Sequence, residues 1–292
     1  MSGFKQFGEL DEKGWGGMAE NSAATRAVPS AAYRAYLRCQ RGRIRRIRAG
    51  RWLLLLVVLG IWELAARLHW VDPMLTSMPS QIATSFWALA GQGQIGYHTW
   101  VTVQETLGGF VLSMAVGGLA AVVLWWSSFL SKVLEPYLVV LNALPKVALG
   151  PIFYIWLGDR NSIYGMAVAI SIVVTVLMLE SGFREAGRDK LKLMESLGAT
   201  RWQMFELVVL PASVPSLVAT MKVNIGLTLV GAIMGEFLSS KAGLGFLILY
   251  GGQVFQMNLV MTSIALLVIV SIMLYGLIVV AGRLLQKRNH FE

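Results

Sequence analysis

Apolar residues in this chain gather into long blocks separated by short polar stretches. The blocks fall at Trp52–Ala66, Leu107–Trp126, Val133–Leu157, Tyr164–Leu179, Leu217–Leu238 and Val260–Val280. A helix needs about 20 apolar residues to cross the hydrocarbon of a bilayer. Lipid offers no partner for unpaired backbone groups, so each block is predicted as a membrane-spanning helix. The first block is the shortest, but Glu63 and Arg67 stand four apart and can pair at its edge. Between the first and second blocks, Ile82, Phe86 and Leu89 recur at helical spacing within Gln81–Leu89, which predicts an amphipathic helix lying on the outer membrane surface. The pattern implies an all-α membrane protein with six transmembrane helices.

Composition agrees with the pattern. Of the 292 residues 56% are apolar and 14% charged, and the mean hydropathy is +0.62, whereas soluble domains carry about 25% charged residues. Charge then orients the chain. Eleven of the 25 Lys and Arg residues precede Trp52, five lie between Arg184 and Arg201, and Arg283, Lys287 and Arg288 close the chain. Loops rich in Lys and Arg stay in the cytoplasm, which predicts cytosolic termini, a cytosolic loop around Arg184–Arg201 and a multi-pass protein of the cytoplasmic membrane. Residues 1–50 are read as a basic cytosolic segment, disordered before about Ser30, and residues 51–292 as the transmembrane domain. Arg41, Arg43, Arg45, Arg46, Arg48 and Arg51 abut the first span, where anionic lipid headgroups rather than nucleic acid are the expected partner. The single Cys39 would face a reducing cytosol, so no disulfide is expected.

The loop between the fourth and fifth blocks is the most informative segment, an elbow at about residues 184–211. Gly198 follows Glu195, Ser196 and Leu197 and is suited to the left-handed backbone that ends a helix. Thr200 with Gln203 three residues on has the spacing of a capping box, which opens a second helix. Pro211 follows about three turns later and should stop or kink it, having no amide donor. The offsets of Gly198, Val208, Leu210 and Pro211 resemble the signature loop of permease subunits from ABC importers, the loop that seats the ATPase. That family usually opens the loop with Glu-Ala-Ala, where this chain has Lys192, Leu193 and Met194, with Glu185 and Glu195 near enough to supply the acidic contact. Pro215 matches a second proline of the family.

The resemblance extends over most of the membrane region. Trp62-Glu63-Leu64-Ala65-Ala66, then Met78-Pro79-Ser80, is similar to the opening of the branch that serves nitrate, sulfonate and taurine uptake. Asn142 through Pro151, leading to Trp156-Leu157-Gly158, is similar to that branch's paired prolines and its Trp-Phe-Gly close. Val103-Gln104-Glu105-Thr106 departs from the family's Ser-Leu-x-Arg. Gly231 to Glu236 and Gly243-Leu244-Gly245 fit its glycine-rich run, acidic residue and Gly-Leu-Gly. Pro145 and Pro151 each remove a backbone donor within an apolar block. Lys146 between them is an intramembrane cation, either functional or snorkelling to an interface. Asn142, Pro145, Lys146, Lys222, Asn224 and Glu236 are the candidate lining of a translocation path, Glu236 alternatively capping the outer end beside Lys241. Gly226, Gly231 and Gly235 would admit a close helix neighbour.

The resemblance implies a type I importer fold in which this chain pairs with a second permease copy as a homodimer. It also implies two cytosolic ABC ATPase subunits that bind ATP and Mg, and an extracytoplasmic substrate-binding protein. Glu195, Leu197, Gly198, Ala199, Thr200 and Arg201 would form the ATPase-coupling surface, with Trp202, Phe205 and Pro211 anchoring and ending the elbow. The chain itself carries no Gly-x4-Gly-Lys-Ser/Thr loop, no catalytic constellation and no metal-ligand spacing among its three histidines, so no cofactor and no enzymatic activity are expected of it. The expected cargo is a small anionic or zwitterionic solute. An ion-coupled secondary transporter using Lys146 and Glu236 is the alternative; internal repeats, its usual mark, are not evident.

Overall fold

The computed structural model describes residues 31–70, 77–91 and 93–288, and those residues are helical throughout apart from short links. The expected disorder before Ser30 lies outside the described residues. Helix α1 spans Ala31–Arg67, α2 Pro79–Gly91, α3 Gln94–Trp126, α4 Ser128–Ala143 and α5 Gly150–Arg184, the last preceded by a 3-10 turn at Lys146–Leu149. The elbow follows as α6 Arg188–Ser196 and α7 Arg201–Met204, a π segment Phe205–Val209 and α8 Leu210–Ala212. Helices α9 Val214–Ser239, α10 Leu244–Gln253 and α11 Met257–Arg288 complete the chain.

The chain divides into two compact units, Met1–Trp62 and Glu63–Glu292. In the first, Trp52, Leu53, Leu54, Leu55 and Leu56 are all exposed, as expected of a helix that is apolar all round and meets lipid. In the second, α3, α5, α9 and α11 form the bundle, with α2 and α10 packed at one end and the elbow at the other. We call these the far end and the elbow end.

Five stretches are long and apolar enough to cross a membrane: Arg45–Arg67, Gln94–Trp126, Lys146–Arg184, Val214–Ser239 and Met257–Lys287. The third holds 39 residues, about 58 Å of helix at 1.5 Å per residue, nearly twice the hydrocarbon depth of about 30 Å. Gly158 divides it, with φ 76° and ψ 179°, a conformation open essentially to glycine alone. Residues before Gly158 finish the crossing that α4 begins, and residues after it make the next one. Six crossings therefore fit the chain, the third in broken form. Its break is a consequence of Pro145: the residue before a proline is pushed out of the helical region, and Leu144 sits at φ −63°, ψ 139°. Pro151, expected to free a carbonyl within a span, instead stands in the first turn of α5, where its missing amide costs nothing.

Close helix approach is built from glycine. A Cβ at Gly231 would meet the backbone of Ala167, and one at Gly235 the backbone of Ile163. The α5–α9 contact, the most extensive in the bundle, depends on both. Gly226, expected to act alike, has nothing nearby.

Candidate functional site

The elbow is built by two capping devices in tandem. At the end of α6 the Ala199 amide donates to the Met194 carbonyl and the Gly198 amide to the Glu195 carbonyl, both at 3.0 Å. This is a Schellman stop, and Gly198 supplies its left-handed residue at φ 77°. Thr200 then caps α7 reciprocally: its amide donates to Gln203 Oε1 at 2.8 Å, and the Gln203 amide to Thr200 Oγ1 at 3.3 Å. Pro211 does not stop the second helix. The Phe205–Val209 stretch widens to π geometry, with the Leu210 amide reaching back to the Phe205 carbonyl. The wider turn absorbs the missing donor of Pro211 and the chain continues into α9.

These caps sort the expected coupling residues into two sets. Glu195, Leu197, Gly198 and Thr200 are exposed, and Ala199 partly so. Leu197 is 74% exposed at the tip. Arg201 and Trp202 are exposed as well, but Arg201 Nη1 donates to the Trp126 carbonyl at 3.0 Å, and Phe205 is buried. The Phe205 ring lies 5.0 Å from Trp125 and 5.7 Å from Phe183, and Trp202 lies 6.2 Å from Trp126. The elbow is thus fastened by an aromatic cluster to the α3–α4 turn. Trp125 and Trp126 were missed as partners, although a tryptophan pair closing an apolar block is the signal of an interface anchor.

Of the expected path residues only Asn142 and Lys146 come together. Lys146 Nζ reaches Asn142 Oδ1 at 3.3 Å and the Ile170 carbonyl at 3.4 Å, across the break rather than along one helix face. Asn142 and Pro145 are exposed. Lys222 borders a separate groove between α9 and α11 with Ser271 and Tyr275. Asn224 lines nothing: it is buried, its Nδ2 donating to Ser113 and Thr175 from neighbouring helices, while Ser171 donates to Ser113 at 2.8 Å. This polar lock ties α3, α5 and α9 at mid-bundle, and interhelical bonds of this kind are worth about 1 kcal/mol each. Asn224→Ala should therefore lower the melting temperature of the solubilised protein by a few degrees, roughly 2–4 °C per kcal/mol, while Asn142→Ala leaves it unchanged. Equal melting of the two variants would remove Asn224 from the lock.

Glu236 is also corrected. Rather than pairing with Lys241 or lining a path, it is 1% exposed and holds the start of α10. Thr102 Oγ1 donates to Glu236 Oε1 at 2.7 Å and the Gly245 amide to Oε2 at 2.5 Å. Next to it the Leu244 amide donates to Thr102 Oγ1 at 2.8 Å, and the Gly243 amide to His98 Nδ1 at 3.0 Å. The three amides of Gly243, Leu244 and Gly245 at the head of α10 are satisfied by this clamp, and a carboxylate there also complements the helix dipole. Gly243, at φ 109°, lies so close that a Cβ would strike the Glu236 carboxylate. Glu105 sits against Glu236 in the same layer. Among the described residues no three His, Cys, Asp or Glu side chains cluster as a metal site.

Comparison with known proteins gives this arrangement its family. The family described as "Binding-protein-dependent transport system inner membrane component" matches residues 113–290. The riboflavin transport system permease protein of Chloroflexus aurantiacus is 27% identical, over 80% of this chain and 87% of that protein. The putative aliphatic sulfonates transport permease protein of Escherichia coli is 24% identical, over 75% of this chain and 84% of the relative. Among solved structures, a chain of the inward-facing MetNI methionine ABC transporter aligns with a TM-score of 0.58 at 17% identity, covering 64% of this chain and 94% of that one; at that identity the likeness concerns fold. Taurine and sulfonate permeases among the relatives mark the branch. By a match that takes in more than half its length, this chain belongs to the binding-protein-dependent inner membrane components, the permease subunits of ABC importers.

Proposed function

We propose that this permease carries a small anionic or zwitterionic organic solute across the cytoplasmic membrane, as a homodimer seated on two ATPase subunits and served by an extracytoplasmic binding protein. The observation that carries the reading is the elbow: a double-capped tip with Leu197, Gly198 and Thr200 free at its surface, bolted to the bundle through Arg201 and Phe205. A tip that is rigid in itself and fixed to the α3–α4 turn passes a push on to the spans instead of absorbing it. The Lys and Arg bias puts the elbow end in the cytoplasm, where an ATPase is accessible, and the far end outside, where a binding protein arrives.

In this reading ATP and Mg bind the partner, and hydrolysis there drives the elbows. Glu195, Leu197, Gly198, Ala199 and Thr200 meet the ATPase, while Arg201, Trp202 and Phe205 transmit the displacement. Motion of the two elbows shifts the bundle between inward and outward states, and the differential affinity of the nucleotide for those states sets the direction. Sulfonate, taurine, riboflavin and formylaminopyrimidine appear in the names of relatives, and the binding protein selects among such cargoes. Purification of the tagged chain from its native membrane tests the assignment. An ATPase subunit should co-purify, and its activity in proteoliposomes should rise when a binding protein loaded with solute is added. Recovery of the chain with no ATPase, together with uptake driven by an ion gradient, would overturn it.

A further inference from the structure

A cavity of about 680 Å³ opens at the far end, where the heads of α3 and α11 meet α10. Its volume lies in the range of small-molecule sites. Three of the rings that line it stand in a near-parallel row. The His98 ring lies 6.0 Å from Phe246 with 18° between their planes, and Phe246 lies 5.9 Å from Tyr250 at 20°. The row has a local cause. Phe246 and Tyr250 are four apart on α10 and so share one face, and His98 is held beside them by its bond to the Gly243 amide. Tyr250 ends the row 45% exposed, and the exposed Tyr97 meets His98 edge to face at 5.5 Å. Planar rings join such a row in offset geometry, with centroids about 4.5–7 Å apart.

The charge of the cavity has one sign. Lys241 stands exposed in its wall, and no Asp or Glu lines it among the described residues. The same lysine borders a neighbouring pocket that holds Asp159, yet no carboxylate pairs with it among the described residues. His98 adds a donor. Its Nδ1 accepts the Gly243 amide at 3.0 Å, so that nitrogen carries no proton, and the neutral ring holds its hydrogen on Nε2. One nitrogen fastens α10 and the other is left to donate. Gln256 contributes an exposed side-chain amide. An ammonium, an imidazole donor and no acid are complementary to an anion, and the row of rings is complementary to a flat one.

We propose that this cavity is a cargo site at the far end of the permease that takes a planar aromatic anion, its ring against Phe246 and Tyr250 and its acid group against Lys241. The site rests on the permease reading and narrows it, from small organic solutes in general to aromatic and heteroaromatic acids. It uses none of the residues of the expected path.

The test uses the permease–ATPase complex in nanodiscs without binding protein, titrated with three probes of similar size by saturation-transfer NMR. Empty nanodiscs give the blank for partition into lipid. Benzoate is planar and charged, benzamide planar and neutral, and cyclohexanecarboxylate charged but puckered. Benzoate should bind about five-fold more tightly than either of the others. Lys241→Gln, a change on an exposed link, should bring benzoate to within about two-fold of benzamide. Tyr250→Leu keeps the helix and an apolar surface, and should bring benzoate to within about two-fold of cyclohexanecarboxylate. Equal binding of the three probes, no binding beyond the blank, or either preference surviving its variant would each overturn the site. The same preparation separates the two claims. Stimulation of its ATPase by loaded binding protein with no probe selectivity leaves the permease standing and removes the site; absence of an ATPase removes the permease reading itself.

Discussion

Replacing Gly198 by proline should abolish ATP-driven uptake while leaving the chain inserted and the bundle folded. The residue sits at φ 77°, and proline is confined near −65°, so the Schellman stop cannot form. Proline also deletes the Gly198 amide that donates to the Glu195 carbonyl at 3.0 Å. The α6–α7 angle is then undefined, and the exposed tip presents no fixed surface. Nothing lies within 4 Å of a Cβ built at this position, so the effect is one of backbone conformation and not of packing. A graded series follows. An ordinary L-residue costs about 1–2 kcal/mol in the left-handed region, and asparagine tolerates it better. Uptake should therefore fall from glycine through asparagine to aspartate and vanish in proline, with the loss in proline about 100-fold or more. ATPase activity of the complex should lose its response to the binding protein in parallel. Wild-type uptake by Gly198→Pro in proteoliposomes would show that the elbow does not couple.

Glu236→Ala should be the most destabilising truncation at the far end. It strips the acceptor from Thr102 Oγ1 and the Gly245 amide. Each buried donor left alone costs about 1–3 kcal/mol, in a fold whose whole margin is about 5–15 kcal/mol. Glu236→Gln should fall between alanine and wild type: one oxygen can still accept from Thr102, but the amide nitrogen then faces a backbone donor. The melting temperature in detergent should follow the order Glu, Gln, Ala. An alanine variant that melts within about 2 °C of wild type would sink the clamp and return Glu236 to the candidate path.

How much of this was legible in the chain depends on whether the relevant partners are local. Gly198, Thr200 and Gln203 announce their roles within six positions, and the structure places all three as the spacing requires. The apolar blocks give the crossings for the same reason, because hydropathy is summed over neighbours. The break at Leu144-Pro145 follows from one dipeptide, though the turn at Gly158 does not: nothing beside it marks that glycine for φ 76°. Asn224 and Glu236 suggest path residues in the sequence because both are polar in an apolar block. Their true partners lie far off, Thr175 at 49 positions from Asn224 and Thr102 at 134 from Glu236. A helix that is apolar on every side gives no periodic sign of which face looks inward, so a polar group on it can be a lock or a lining with equal right. Pro211 does not end the elbow because a π segment can absorb a proline that an α-helix cannot.

That π segment makes the link from tip to α9 a matter of residue count. Between Phe205 and Val209 the chain holds one residue more than an α-helix of equal rise would use. One residue corresponds to about 100° of rotation about the helix axis. Loss of a single residue there would restore ordinary helical geometry and swing the docking tip around by about that angle relative to the spans. The wide turn therefore acts as a phase setting: it fixes the compass bearing at which the permease meets its motor.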